Sequence, residues 1–351
     1  MNYQATVREK LNRIDELFPL ERLAKSKERW RRLWNHEEPL DRLPFTYGPV
    51  ACGYWNISPR EGRLLEYLDE FIARGLLEDD FIPGMFGGCH QGGMASLFGA
   101  RTVEVTNEGV VDTSCERLLP TVADAARLQP SSLRADSVPA RWLADDAWYL
   151  EVTGRRLPVH ILDSFGPVEI AAKLWGYENL FEAATEAPEL YDRVMTFAAD
   201  AYMLFIDAQR KVAGDLLIET CLNAHDWVPA GSTLALGMDS LALVSPAFFT
   251  ERVAPYLERI AGRYAPLTIH SCGWFPKLIP IIQAAPFING LHLGQMSLAE
   301  LVNAGLDGRV VTIPSGVSVE SLKEHMKLVK GHGLRVNLCI GGIWPKCPPR
   351  E

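Results

Sequence analysis

Apolar positions recur at helical spacing through residues 3 to 36: Val7, Leu11, Ile14 and Leu17, then Leu23, Trp30 and Leu33. They predict two helices covering one end of a domain. Leu43 to Val50 reads as a strand, and Glu61 to Arg74 returns to the helical period. Residues 80 to 120 mix glycine-rich pieces with short β-like runs such as Thr102 to Val105. Residues 121 to 150 read as helices and loops at a surface. From residue 157 the pattern becomes regular. Leu157 to Leu162 is a strand ending at Asp163, with helices following through Gln209. Asp215 to Ile218 is a strand ending at Glu219. Pro246 to Arg263 reads as one helix, with Pro246 well placed in its first turn. Then come a strand from Leu267 to Cys272, a helix from Phe275 to Ala284 and a strand from Ile288 to Leu293. A helix at Leu298 to Ala304, a strand at Val310 to Ile313, a helix at Val319 to Lys330 and a strand at Leu334 to Leu338 complete the series.

Strands alternating with helices predict an α/β protein with a parallel sheet. The count, at least seven strands beginning near residue 43, suits an eight-stranded (β/α) barrel of the TIM type. An open doubly wound sheet is disfavoured, because no Gly-x-Gly-x-x-Gly fingerprint follows the first strand. Residues 1–40 are expected as a helical extension packed on the barrel, and residues 41–351 as the barrel itself. The run from Gly87 to Gly93 is not a phosphate loop, since it lacks the Gly-Lys-Ser/Thr ending.

Composition narrows the function classes. A net charge of -9 argues against a nucleic-acid surface. No apolar run is long enough for a membrane span, and the charged N-terminus lacks the apolar core of a secretion signal. Seven cysteines, an odd number in a long chain, read as reduced thiols in a cytoplasm rather than a disulfide scaffold. A homodimer is left open.

Barrel chemistry sits at the C-terminal ends of strands. Those ends carry Tyr47, Asp163, Glu219 and Cys221, His270 and Cys272, His292, Ser315, and Cys339. His270 and Cys272 stand two apart at one strand end, so both side chains reach one side. Neutral imidazole and thiolate are ligands that zinc prefers. With Cys339 from the last strand they make a three-ligand set with an open position, the pattern of catalytic zinc. Glu219 is the candidate fourth, displaceable ligand or a general acid/base. His292 reads as a residue of the pocket rather than a ligand. Cys89 and His90 read as loop residues and Cys347 as a bystander; His225 and Asp226 read as a loop cap or a catalytic pair. Trp55, Trp227, Trp274 and Trp344 each follow a predicted strand end, which suggests an aromatic-walled pocket for a flat or apolar ligand.

Several segments resemble the uroporphyrinogen decarboxylase superfamily. They are Ser164 to Leu180 with its Gly166-Pro167 helix start, Asp239 to Pro246 with the helix after it, and Val336 to Pro345 at the end. The resemblance runs from about residue 25 onward and implies a single (β/α) barrel. The decarboxylases carry an arginine-rich segment after the first strand, whereas Thr46 to Trp55 has no arginine here. His270, Cys272 and Cys339 are similar to the His-x-Cys and distant Cys of the zinc-dependent methyltransferase branch. That branch implies zinc, and a cobalamin carried by a separate corrinoid protein. The implied reaction moves a methyl group between a small molecule and the corrinoid, with Glu219 or Asp163 managing the proton. The tryptophans favour a methoxylated aromatic and O-demethylation. A methylcobamide:thiol transfer of the coenzyme M kind and a decarboxylase-like lyase are the alternatives.

Overall fold

The computed structural model describes residues 2–48, 59–86, 92–107, 110–162, 164–219 and 226–341. It is an α/β arrangement of parallel sheets with one antiparallel hairpin. The strands are β1 (Phe45–Tyr47), β2 (Thr102–Asn107), β3 (Val110–Cys115), β4 (Val159–His160), β5 (Leu217–Ile218) and β6 (Leu234–Gly237). They continue with β7 (Leu267–Ser271), β8 (Ile288–Leu293), β9 (Val311–Ile313), β10 (Arg335–Val336) and β11 (Leu338–Ile340).

The largest sheet runs β10-β9-β8-β7-β6, all parallel. Parallel sheets are covered on both faces, so their strands are apolar almost throughout. β6 and β7 follow this rule, with every position buried. β1 pairs with β11 and β4 with β5, again parallel. Single bridges link these pieces: Met85 with Val159, Phe165 with Gly237, and Ser318 with Gly341. The Asp80 N–H also donates to the Phe45 carbonyl at 2.9 Å. β2 and β3 form the hairpin.

Two helices open the chain, Tyr3–Leu17 and Leu20–Trp34. Asn2 caps the first by accepting from the Gln4 N–H at 3.1 Å, the usual role of Asn before a first turn. Its buried Val7, Leu11 and Ile14 join the same core as Leu64, Leu68 and Phe71 of the helix Arg60–Gly75. The second helix buries Trp30, Leu33 and Trp34 against Ile82, Val228, Val311 and Ile313. The Trp30 indole donates to the Asp80 carbonyl at 2.9 Å, satisfying its one polar atom. No helix among the described residues is long and apolar enough to cross a membrane.

Several elements differ from the sequence expectation. Leu234–Gly237 is a full strand, where the sequence pattern predicts none. The expected strand at 215–218 shrinks to the two residues of β5 after a tight turn at Gly214–Leu216. The helix expected over 246–263 is broken into Pro246–Phe248, a wide π-type turn at Phe249–Val253, and Ala254–Arg263. Pro255 explains the break: it has no N–H for the fourth carbonyl before it, so the ladder widens upstream. The last predicted strand also divides at Asn337. Arg335–Val336 pairs with β9, and Leu338–Ile340 turns to pair with β1.

Candidate metal centre

Register builds the centre. Gly237 of β6, His270 of β7, His292 of β8 and Ile313 of β9 are aligned partners across the sheet. Neighbours in register on parallel strands point to the same face. His270 and His292 therefore meet: their Nδ1 atoms lie 3.0 Å apart and their ring centroids 4.7 Å apart. Both rings are buried, at 5% and 8% exposure, so neither side chain is a surface histidine.

Beyond Gly237 the chain passes Met238, whose N–H donates to the His270 carbonyl at 2.7 Å, and reaches Asp239. The turn starting there is fixed from below. Glu169, in the first turn of the helix Pro167–Trp175, accepts the Ser240 N–H at 2.6 Å. Burial raises the Glu169 carboxyl to about 7, against the hydrogen bond from Ser240. So held, Asp239 Oδ1 accepts the Cys272 N–H at 2.8 Å and lies 3.8 Å from His270 Nε2. The Cys272 Sγ is 3.1 Å from the same nitrogen. Gly294 backs this thiol closely. A Cβ there would stand 2.6 Å from the Cys272 Cα, which excludes a larger residue at that point of the turn.

Asp239, His270 and Cys272 thus bring one oxygen, one nitrogen and one sulfur within 4.8 Å of one another. Tetrahedral zinc with bonds of about 2.0–2.3 Å sets its ligand atoms roughly 3.3–3.8 Å apart. The donor set fits that spacing with small adjustments. His270 is buried, Asp239 is partly exposed and Cys272 is exposed, so the centre opens to solvent on one side.

Cys339 is not in this set. It sits on β11 opposite Thr46 of β1. β7 and the β10/β11 strand are three strand steps apart, at about 4.8 Å each along the sheet. Burial pushes the Cys339 thiol up to about 12; nearby Asp226 raises it further, and Arg74 and the nearby Thr46 hydroxyl oppose. Asp226 is itself buried. Desolvation lifts its carboxyl to about 7, opposed by the nearby Asn337 and Thr46 side chains. Thr46, Asn337, Cys339 and Asp226 form a second polar group.

Glu219 turns elsewhere. Its Oε1 is ion-paired with Arg210 of the helix Pro188–Ala213, and its Oε2 accepts the Gly231 N–H at 3.0 Å. Both oxygens are engaged, because the short β5 ends beside that helix and not beside β7. Tyr47 is half-buried at the end of β1, with its N–H donating to Asp79 Oδ2 at 3.0 Å. Trp227 packs on the N-terminal tryptophan cluster, with the Lys27 ammonium 5.7 Å from its ring centroid. Trp274 follows the centre by two residues and is 55% exposed. Trp227 and Trp274 are the two of the four expected pocket tryptophans that lie among the described residues. Trp55, Trp344, Asp163, Cys221, His225, the Cys89–His90 pair and Cys347 lie outside the described residues. A flank cavity of about 720 Å³, lined by Leu33, Phe45, Leu322, Met326 and Leu338, shares no residue with the centre.

Asp239 is the residue that strand-end reading missed. The signal was the run Leu234-Ala-Leu-Gly237 between Gly231-Ser-Thr and Met238-Asp239: a short buried strand ending next to an acid.

No protein-family model matches the chain. No curated protein matches it in sequence. Solved structures do. The chain is similar to a methyltransferase from Methanosarcina mazei, with a TM-score of 0.60 and 17% identity, over 92% of this chain and 94% of that one. The likeness is one of fold, and a fold hosts many chemistries.

Proposed function

We propose that this chain is a zinc-dependent methyltransferase built on a single (β/α)8 barrel. The observation that carries the reading is the convergence of Asp239, His270 and Cys272 at the ends of β6 and β7. The barrel is supported by the parallel pairings and by the bridges at Met85, Phe165 and the Asp80 N–H, which link neighbouring sheets. The solved methyltransferase of similar fold lends support to the reaction class.

We assign the metal to His270, Cys272 and Asp239. Cys339, the third ligand implied by the resemblance, lies instead near Asp226. Held by the three assigned residues, zinc would supply Lewis acidity to the heteroatom that gains or loses a methyl group. The chain's own residues do the rest. Asp239 and Cys272 bring negative charge to the front of the centre, and His270 anchors it from the buried side. The exposed side of Cys272 leaves a face for substrate.

The second substrate is the cobalamin of a separate corrinoid protein. Exposed Leu243, Trp274 and Val319 follow β6, β7 and β9 and offer an apolar surface to such a partner. Trp274 beside the centre favours a methoxylated aromatic as methyl donor. The test is incubation of zinc-replete protein with a methoxybenzoate and a cobalt(I) corrinoid protein. Phenol formation with methylation of the corrinoid supports the reading. Failure with methoxylated aromatics and with thiol acceptors alike contradicts it.

A further inference from the structure

A neutral imidazole has one bare nitrogen, and the nitrogen carrying the proton cannot bind a metal. In His270, Nε2 faces Cys272 Sγ at 3.1 Å and Asp239 Oδ1 at 3.8 Å. For Nε2 to be the bare one, the proton must sit on Nδ1. That atom lies 3.0 Å from Nδ1 of His292, and two such nitrogens at hydrogen-bond distance share one proton. His292 is set there by strand register and buried, so its ring is not free to swing away.

We propose that His292 is the positioning residue of the metal centre: its bare Nδ1 accepts the Nδ1–H of His270 and locks that ring with Nε2 toward the metal. The proposal rests on the metal reading above and deepens it. A metal-bound histidine commonly donates its other N–H to a carboxylate, a carbonyl or water. A neutral imidazole in that place adds no charge behind the centre. With one carboxylate and one thiolate in front, a divalent ion then stays close to neutral and remains a stronger Lewis acid than it would with a further carboxylate behind it.

The test measures Zn²⁺ affinity of the full chain by competition with a chromophoric chelator. It compares wild type, His292→Leu and His292→Asn. The asparagine amide oxygen stands about where Nδ1 does and can accept the same proton. Imidazole ¹⁵N spectra of the metal-free wild type report the tautomers directly. The expected result is about 10–100-fold weaker zinc binding in His292→Leu, with recovery to within about threefold in His292→Asn. The spectra should show His270 protonated at Nδ1. Unchanged affinity in His292→Leu overturns the proposal, as does equal loss in both variants, or a His270 protonated at Nε2. If His292→Leu does not fold, the asparagine variant and the spectra decide. Absence of zinc binding by the wild type would remove the metal reading and this proposal with it. Zinc binding that ignores His292 would remove this proposal alone.

Discussion

Cys272 and Asp239 are joined through the backbone: the Cys272 N–H donates to Asp239 Oδ1 at 2.8 Å, so the carboxylate facing His270 is tied to the residue that carries the thiol. Two turns, one after β6 and one after β7, are thereby locked together at the point where their side chains converge. In Asp239→Asn the amide oxygen can keep this hydrogen bond, but the charge is lost. Zinc affinity should fall in Asp239→Asn by about 10-fold or more, and the metal-free protein should melt near the wild-type temperature. Chelator competition and thermal melts of the two proteins check this.

Glu219 should behave as a structural residue. Its carboxylate is buried, with one oxygen on Arg210 and one on Gly231. Glu219→Gln removes the charge of the pair and should destabilise the fold by about 1–3 kcal/mol while zinc content stays unchanged. Denaturant unfolding with metal analysis on the same sample tests both halves.

The Asp226 carboxyl gives a pH signature. Its pKa rises from 3.8 to about 7 on folding, so the folded chain binds the proton more tightly than the unfolded chain. Its contribution therefore favours the fold at low pH and is lost as pH rises from about 4 to about 7. At about 1.4 kcal/mol per unit, the loss is on the order of 4 kcal/mol before relaxation. Buried His160, held down to about 3, acts in the opposite sense, since it must stay neutral in the fold. The difference between wild type and Asp226→Asn isolates the carboxyl. The variant should gain stability relative to wild type between pH 5 and pH 8, measured by denaturant unfolding at both.

Trp274 stands in solvent beside the centre. Trp274→Ala should change stability by no more than about 0.5 kcal/mol and leave zinc binding intact. It should weaken association with the aromatic donor or the corrinoid protein, seen as a raised KM. An unaltered KM for both would place the binding face elsewhere.

Much of this arrangement was legible in the chain. The meeting of His270 with Cys272 was readable because period-2 spacing at a strand end is a local property. The N-terminal helices were readable from Val7, Leu11 and Ile14, and the alternation after residue 157 predicted parallel pairing. Asp239 was not readable in the same way. Its strand is only four residues long, with alanine and glycine at two of them, and such a run carries little β signal. The partners of Glu219 were hidden for the complementary reason: an apolar run ended by an acid looks like a full barrel strand, but it forms a two-residue stub beside Arg210. The meeting of His270 with His292 depends on register between strands, which no single segment encodes.

Zinc content is the measurement that bears most directly on the central claim. Wild type, His270→Ala, Asp239→Ala and Cys339→Ala would be purified in reducing buffer, loaded with Zn²⁺, desalted and measured by mass spectrometry. The expected result is stoichiometric zinc in wild type and in Cys339→Ala, with loss in His270→Ala and Asp239→Ala. Zinc kept by Asp239→Ala but lost from Cys339→Ala, or no zinc in the wild type, would contradict the assignment.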